Sequence, residues 1–183
     1  MSEGSLLLQF IVIIVLTGIN AFFSGAEMSI VSVNKNKIKV MVEERDKKAI
    51  LLDNLLKEPS KFLSTIQVGI TLASFFASAS AATGLSQFLS VFLNKMKVPY
   101  SAQLSMIIVT FLLSYVTLVF GELIPKRVAL RSSEKMALSS IGVIVFISKI
   151  FSPFVKFLTF STNVVLTLLK LKEDNIEEKV SKE

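Results

Sequence analysis

The chain has no cysteine and no histidine. Disulfides, thiolate metal sites, a histidine zinc site and a histidine proton relay are therefore excluded. Serine nucleophiles also lack their usual base, so an enzyme is not the expected class. Lysine and arginine are missing ahead of the first apolar run, where Glu3 is the charged side chain. A secretory leader opens with a basic stretch, so residues 6–31 read as a retained membrane span. Proline is sparse, at positions 59, 99, 125 and 153, and each one punctuates an apolar run or the charged stretch ahead of one.

What is abundant is hydrocarbon. Apolar residues make up 52% of the 183, and the mean hydropathy is +0.66. Both values exceed those of an ordinary soluble domain. The net charge of +6 comes from lysines and arginines clustered between apolar runs. That is how loop charge is distributed in membrane proteins, and it is not a nucleic-acid signal. The sequence thus predicts an all-α integral membrane domain over residues 1–171. Its spans are expected at about 6–31, 62–93 and 101–125, with a break in the second near Gly84. Residues 34–60 are expected to form an amphipathic helix on the cytoplasmic face, ended by Pro59, with Ser60 capping the next helix. Ser101 is expected to cap the third span. Residues 134–171 read as a helical belt, restarted at Ser152-Pro153, that either lies in the cytoplasmic leaflet or crosses as a pair. Residues 172–183 read as a charged linker toward a further cytoplasmic region. Basic loops after the first and third spans place the N-terminus outside and the C-terminus in the cytoplasm.

Each span carries a one-sided polar stripe. On the first it is Thr17, Asn20, Ser24 and Glu27; on the second, Gln67, Thr71, Ser74 and Ser78; on the third, Thr110, Ser114, Thr117 and Gly121, with Glu122 adjacent. Residues three or four apart share a helix face. The second span also carries a small-residue face, Ala73, Ala77, Ala81 and Gly84, suited to close helix packing in lipid. Pro125 has no N–H for the carbonyl four residues back, that of Gly121. A free carbonyl, a bare glycine and a carboxylate then lie together, which is hard-cation chemistry. Two carboxylates would balance a divalent ion; residue types alone leave magnesium, calcium and sodium open. Two plainer readings compete. Serine and threonine often bond their own helix, and Glu27 and Glu122 can pair with Lys126 or Arg127.

Three segments carry a resemblance: Asn20-Ala-Phe-Phe-Ser24-Gly25-Ala-Glu27, Ser64-Thr-Ile-Gln67-Val-Gly69-Ile70-Thr71 and Gly121-Glu122-Leu-Ile-Pro125-Lys126. Together they resemble the DUF21 transmembrane domain of the cyclin-M/CorC, or hemolysin C-like, magnesium transporters. The resemblance implies a homodimer in the cell membrane, with ATP-binding CBS domains downstream. It implies an intramembrane Mg²⁺ site at Ser24, the Gly69–Thr71 region, Gly121 and Glu122. Asn20, Glu27, Gln67, Ser74 and Ser78 are then candidates for a coupling ion or for supporting contacts, and Pro125 for a helix break. Export of Mg²⁺ coupled to Na⁺ is the implied transport. Ile70 departs from the pattern, since some members have asparagine there and isoleucine offers no side-chain oxygen. The alternative is a dimeric membrane scaffold that positions a cytoplasmic sensor without transporting.

Overall fold

A computed structural model describes residues 3–169, with the side chains of residues 3–5, 60 and 61 left aside. Among the described residues the chain is built from helices joined by short turns. Helix α1 spans Glu3–Val31, α2 Lys35–Glu43, α3 Lys47–Leu56, α4 Pro59–Thr83, α5 Leu85–Lys95 and α6 Ser101–Leu118. A π-helical stretch, Val119–Leu123, leads from α6 into α7, Ile124–Arg131, and α8 runs Ser133–Leu168. Four helical stretches are long and apolar enough to cross a membrane: 6–31, 62–95, 101–131 and 133–168. The expected all-helical membrane architecture holds, with one more candidate crossing than the three expected.

α1 is the central element. It packs on α4, on the π-helical stretch with α7, and on the start of α8. Its partners fix the directions. Gly84 meets Gln9 and Gly69 meets Phe23, so α4 runs antiparallel to α1. Gly121 meets Thr17 and Asn20, and Pro125 meets Gly25, so the third span runs parallel to it. The small-residue face of α4 is buried as expected: Ala73, Ala77 and Ala81 are each at most 5% exposed. Short side chains let backbones approach closely where lipid supplies no hydrophobic drive.

Two apolar clusters hold the bundle. One joins Phe23, Ala26 and Ile30 of α1 to Ile38, Leu52, Ile66 and Ile141 of α2, α3, α4 and α8. The other joins Ile13 of α1 to Ala81, Val109 and Leu113. Along α1 the polar residues Thr17 and Asn20 fall between Ile13 and Phe23, hence between the clusters, and Ser24 lies just inside the first of them. Large apolar side chains such as Phe75, Phe111 and Phe160 point outward, which suits a lipid surface.

The structure corrects several boundaries. The basic segment is two helices, not one. Arg45 adopts a left-handed φ of 62° and Asp46 caps α3 by accepting from the amides of Lys48 and Ala49. Asn34 caps α2 likewise. Pro59 opens α4 at its first position, so the cap falls on Glu58 and not Ser60. A proline there forfeits only an amide that has no helical partner. Tyr100, in a left-handed conformation, precedes α6, and Ser101 is its first residue. The break at Gly84 is present, between α4 and α5. Pro153 does not restart a helix: α8 continues through it for 36 residues, about 54 Å at 1.5 Å per residue. Membrane helices accommodate proline because neighbouring groups re-satisfy the freed carbonyl. The linker expected at 172–183 lies outside the described residues.

Two glycines give a paired prediction. A Cβ on Gly69 would sit 2.8 Å from the ring of buried Phe23, whereas one on Gly18 would meet nothing within 4 Å. Gly69→Ala should destabilise by about 1–3 kcal/mol through overpacking. Gly18→Ala should stabilise by roughly 0.5–1 kcal/mol, because glycine weakens a helix interior. Thermal unfolding of both variants in detergent checks this; equal melting temperatures would contradict the packing.

Candidate functional site

The π-helical stretch is the local irregularity from which the site is built. Its register puts the amide of Ile124 on the carbonyl of Val119, five residues back. α7 resumes the ordinary register from its cap at Leu123. Between the donors Ile124 and Arg127 stand Pro125, which has no N–H, and Lys126. The carbonyls of Phe120, Gly121 and Glu122 therefore share one main-chain amide. A four-residue register would have left the Gly121 carbonyl alone without its donor. The wider turn sets Phe120 opposite Pro125 and enlarges the group of underused oxygens. Such single π turns recur at functional sites.

α1 lies directly on this stretch because Gly121 has no side chain. A Cβ there would approach Nδ2 of Asn20 to 2.9 Å and Cγ2 of Thr17 to 3.5 Å. Asn20 and Ser24 are buried, at 4% and 0% exposed. Oγ1 of Thr17, Oδ1 of Asn20 and Oγ of Ser24 are buried with no hydrogen-bond partner. Other hydroxyls behave differently. Thr117 donates to the Leu113 carbonyl at 2.9 Å, Ser29 to Ala26 at 2.9 Å and Ser105 to Ser101 at 2.6 Å. Self-bonding thus accounts for Thr117 on the third-span stripe and fails for the stripe on α1. Each buried polar group left unpaired costs about 1–3 kcal/mol. Three along the eight residues from Thr17 to Ser24, on the helix that packs against the π-helical stretch, form a set of hard oxygen donors.

The acidic residues are at the lower edge of the same contact. Nζ of Lys126 lies 2.9 Å from Oε1 of Glu122 and 3.4 Å from Oε2 of Glu27. One ammonium therefore bridges the first and third spans. All three side chains are between one fifth and two fifths exposed. Among the described residues no three acidic, histidine or cysteine side chains gather as a metal cluster. Charge here is limited to this pair of carboxylates and the ammonium between them.

The second-span candidates are placed elsewhere. The side of Gly69 that would carry a Cβ faces Phe23. Ile70, in the place of the asparagine, packs against the first apolar cluster. Gln67 and Thr71 line a groove of about 660 Å³ together with Phe154, Thr159, Thr162 and Asn163 of α8. Ser78 is exposed and Ser74 is half-buried. The helical turn that aims the alanines at α1 points Gln67, Thr71 and Ser78 away from it. Within one chain the structure brings Thr17 and Asn20 onto Gly121, with Ser24 one turn further along α1 and Glu122 and Glu27 joined through Lys126. It does not bring Thr71 or Gln67 to that centre. Sequence reasoning missed the π register. The pairing of Glu27 and Glu122 with Lys126, offered there as a plainer reading, is present, with one ammonium serving both acids.

Known proteins resemble this chain along most of its length. Residues 11–183 match the family described as the cyclin M transmembrane N-terminal domain. A UPF0053 protein of Synechocystis is 34% identical over 92% of this chain and 38% of its own length. Another from Haemophilus influenzae is 30% identical over 95% of this chain and 39% of its own. A protein of Haemophilus influenzae named polyamine export protein is 27% identical over 83% of this chain and 35% of its own. The chain thus spans under two fifths of each of these relatives. With a matching domain over nearly its whole length and helices able to cross a bilayer several times, this multi-pass membrane chain belongs to the cyclin M transmembrane-domain family.

Proposed function

We propose that the chain is a cation carrier, and that Mg²⁺ is its cargo. The observation that carries the reading is the run of buried, unpartnered oxygens on Thr17, Asn20 and Ser24 of the helix that lies against Gly121. Magnesium takes about six oxygens at about 2.0–2.1 Å and dehydrates reluctantly. Fixed hydroxyl, amide and main-chain oxygens, with the carboxylate of Glu122, are the donors such an ion requires. Asn20 and Glu27 would tune its charge and hydration or serve a coupling Na⁺. The cargo would leave the cytoplasm by alternating access of a homodimer, with the N-terminus outside, α8 lying along the cytoplasmic leaflet instead of crossing, and ATP-binding CBS domains following on the cytoplasmic side. Pro125 and the π turn would serve as the point where the third span flexes. The reading is a carrier and not an enzyme, because a chain without histidine or cysteine lacks the usual base and thiol nucleophile.

One observation favours a second cargo. The two carboxylates already hold a primary ammonium, that of Lys126. An organic polyamine presents the same group, and one relative carries the name polyamine export protein. A pure scaffold is the remaining rival, and it would bind neither.

Mg²⁺ should raise the melting temperature of the purified protein, and elemental analysis should find it bound; a scaffold would show neither. Spermidine in place of Mg²⁺ gives the larger shift if the second cargo is right. Glu122→Gln should abolish the Mg²⁺ shift, and unchanged binding removes Glu122 from the site. Pro125→Ala restores an amide at the π turn, so Mg²⁺ binding should weaken by about tenfold, the equivalent of one lost hydrogen-bond acceptor. Intact affinity in isothermal titration would reject the role of the freed carbonyls.

A further inference from the structure

We propose that Lys126 is a tethered competitor for the cargo: its ammonium holds Glu122 while the site is empty and passes to Glu27 when a cation enters. The inference rests on the cation-carrier reading and adds how that site is kept balanced. Its geometry is already in place. The ammonium touches Glu122 at 2.9 Å and Glu27 at 3.4 Å, so the exchange needs only a small shift on a flexible four-carbon stem. Glu122 lies one turn before Lys126 on the third span, and Glu27 lies on α1. The ammonium therefore moves between helices as well as between charges.

Charge supplies the reason. Two carboxylates and one ammonium leave the empty site at a net charge of −1, which a partly buried position tolerates far better than −2. A divalent ion and an ammonium repel at contact distance, and they repel more strongly away from bulk water. They compete for Glu122. Cargo binding thus transfers Lys126 to Glu27, and the return of the ammonium to Glu122 displaces cargo. Ser24 and Asn20, buried and with unpartnered oxygens one and two turns from Glu27 along α1, are where the incoming ion would find its other ligands.

The test uses the whole chain in detergent, with Mg²⁺ binding measured by isothermal titration and Mg²⁺ release from proteoliposomes measured in parallel. Lys126→Gln removes the competitor, so affinity should tighten by about tenfold or more while release slows. Lys126→Arg keeps the charge and grips both carboxylates with a fork, so affinity should weaken. Glu27→Gln removes the alternative seat, so affinity should weaken by about tenfold. Opposite signs for the glutamine and arginine variants exclude a merely structural role. Unchanged or weaker binding in Lys126→Gln, or the same sign in both variants, overturns the proposal. If Lys126→Gln does not fold, Lys126→Arg decides alone, and equal or tighter binding overturns it. Glu122→Gln separates the two levels. If that variant binds Mg²⁺ normally, the site reading fails. If it loses Mg²⁺ while Lys126→Gln fails to tighten, only the competitor is lost.

Discussion

The contact between α1 and the bare backbone at Gly121 governs the rest of the structure. A glycine at the π turn lets Thr17 and Asn20 lie against main chain, with no side chain between. A Cβ there would crowd Nδ2 of Asn20 at 2.9 Å and turn that side chain out of its place. The ion pair of Glu27 with Lys126 joins the same two helices a turn further on.

Stability and function are spread unevenly along α1. Apolar clusters grip it at Ile13 and again from Phe23 to Ile30. Between them the helix carries polar atoms that gain nothing from burial. Packing on both sides allows the middle to remain unsatisfied, because the loss is covered by buried hydrocarbon at the ends. The third span is arranged similarly. An ordinary helix with self-bonded hydroxyls, α6, gives way to a π turn and then to α7. Irregular backbone is tolerated at membrane depth only where protein covers it, and here α1 covers it.

The carboxylates show why residue identity alone did not settle the site. Glu27 and Glu122 stood out as ionisable groups at the ends of apolar runs. Two readings were open, a cation site or a pairing with lysine. The structure shows the pairing and leaves oxygen donors unpartnered beside it. The two readings describe one arrangement, in which a resident ammonium lies where charge is scarce. Polar residues of α4 were less legible. Gln67 and Thr71 share a stripe spacing with the α1 residues, yet they face the groove toward α8. Periodicity says which residues share a face and not which neighbour that face meets.

Long apolar runs, their polar stripes, the small-residue face of α4 and the break at Gly84 were all determined by the sequence, because helix period and transfer energy act locally. Local chemistry likewise marked Pro125 and Gly121 as the place where the backbone lacks a donor. Tertiary structure decided the rest. It turned the basic segment into two helices, carried α8 unbroken through Pro153, and widened the turn before Pro125 into a π register. It also chose which hydroxyls bond their own helix and which stay unpaired, and it set Lys126 between two acids on different spans. The physical reason is that each of these outcomes depends on what a second helix places within about 3–4 Å, the reach of a hydrogen bond or an ion pair, and a single strand of residues does not specify that neighbour.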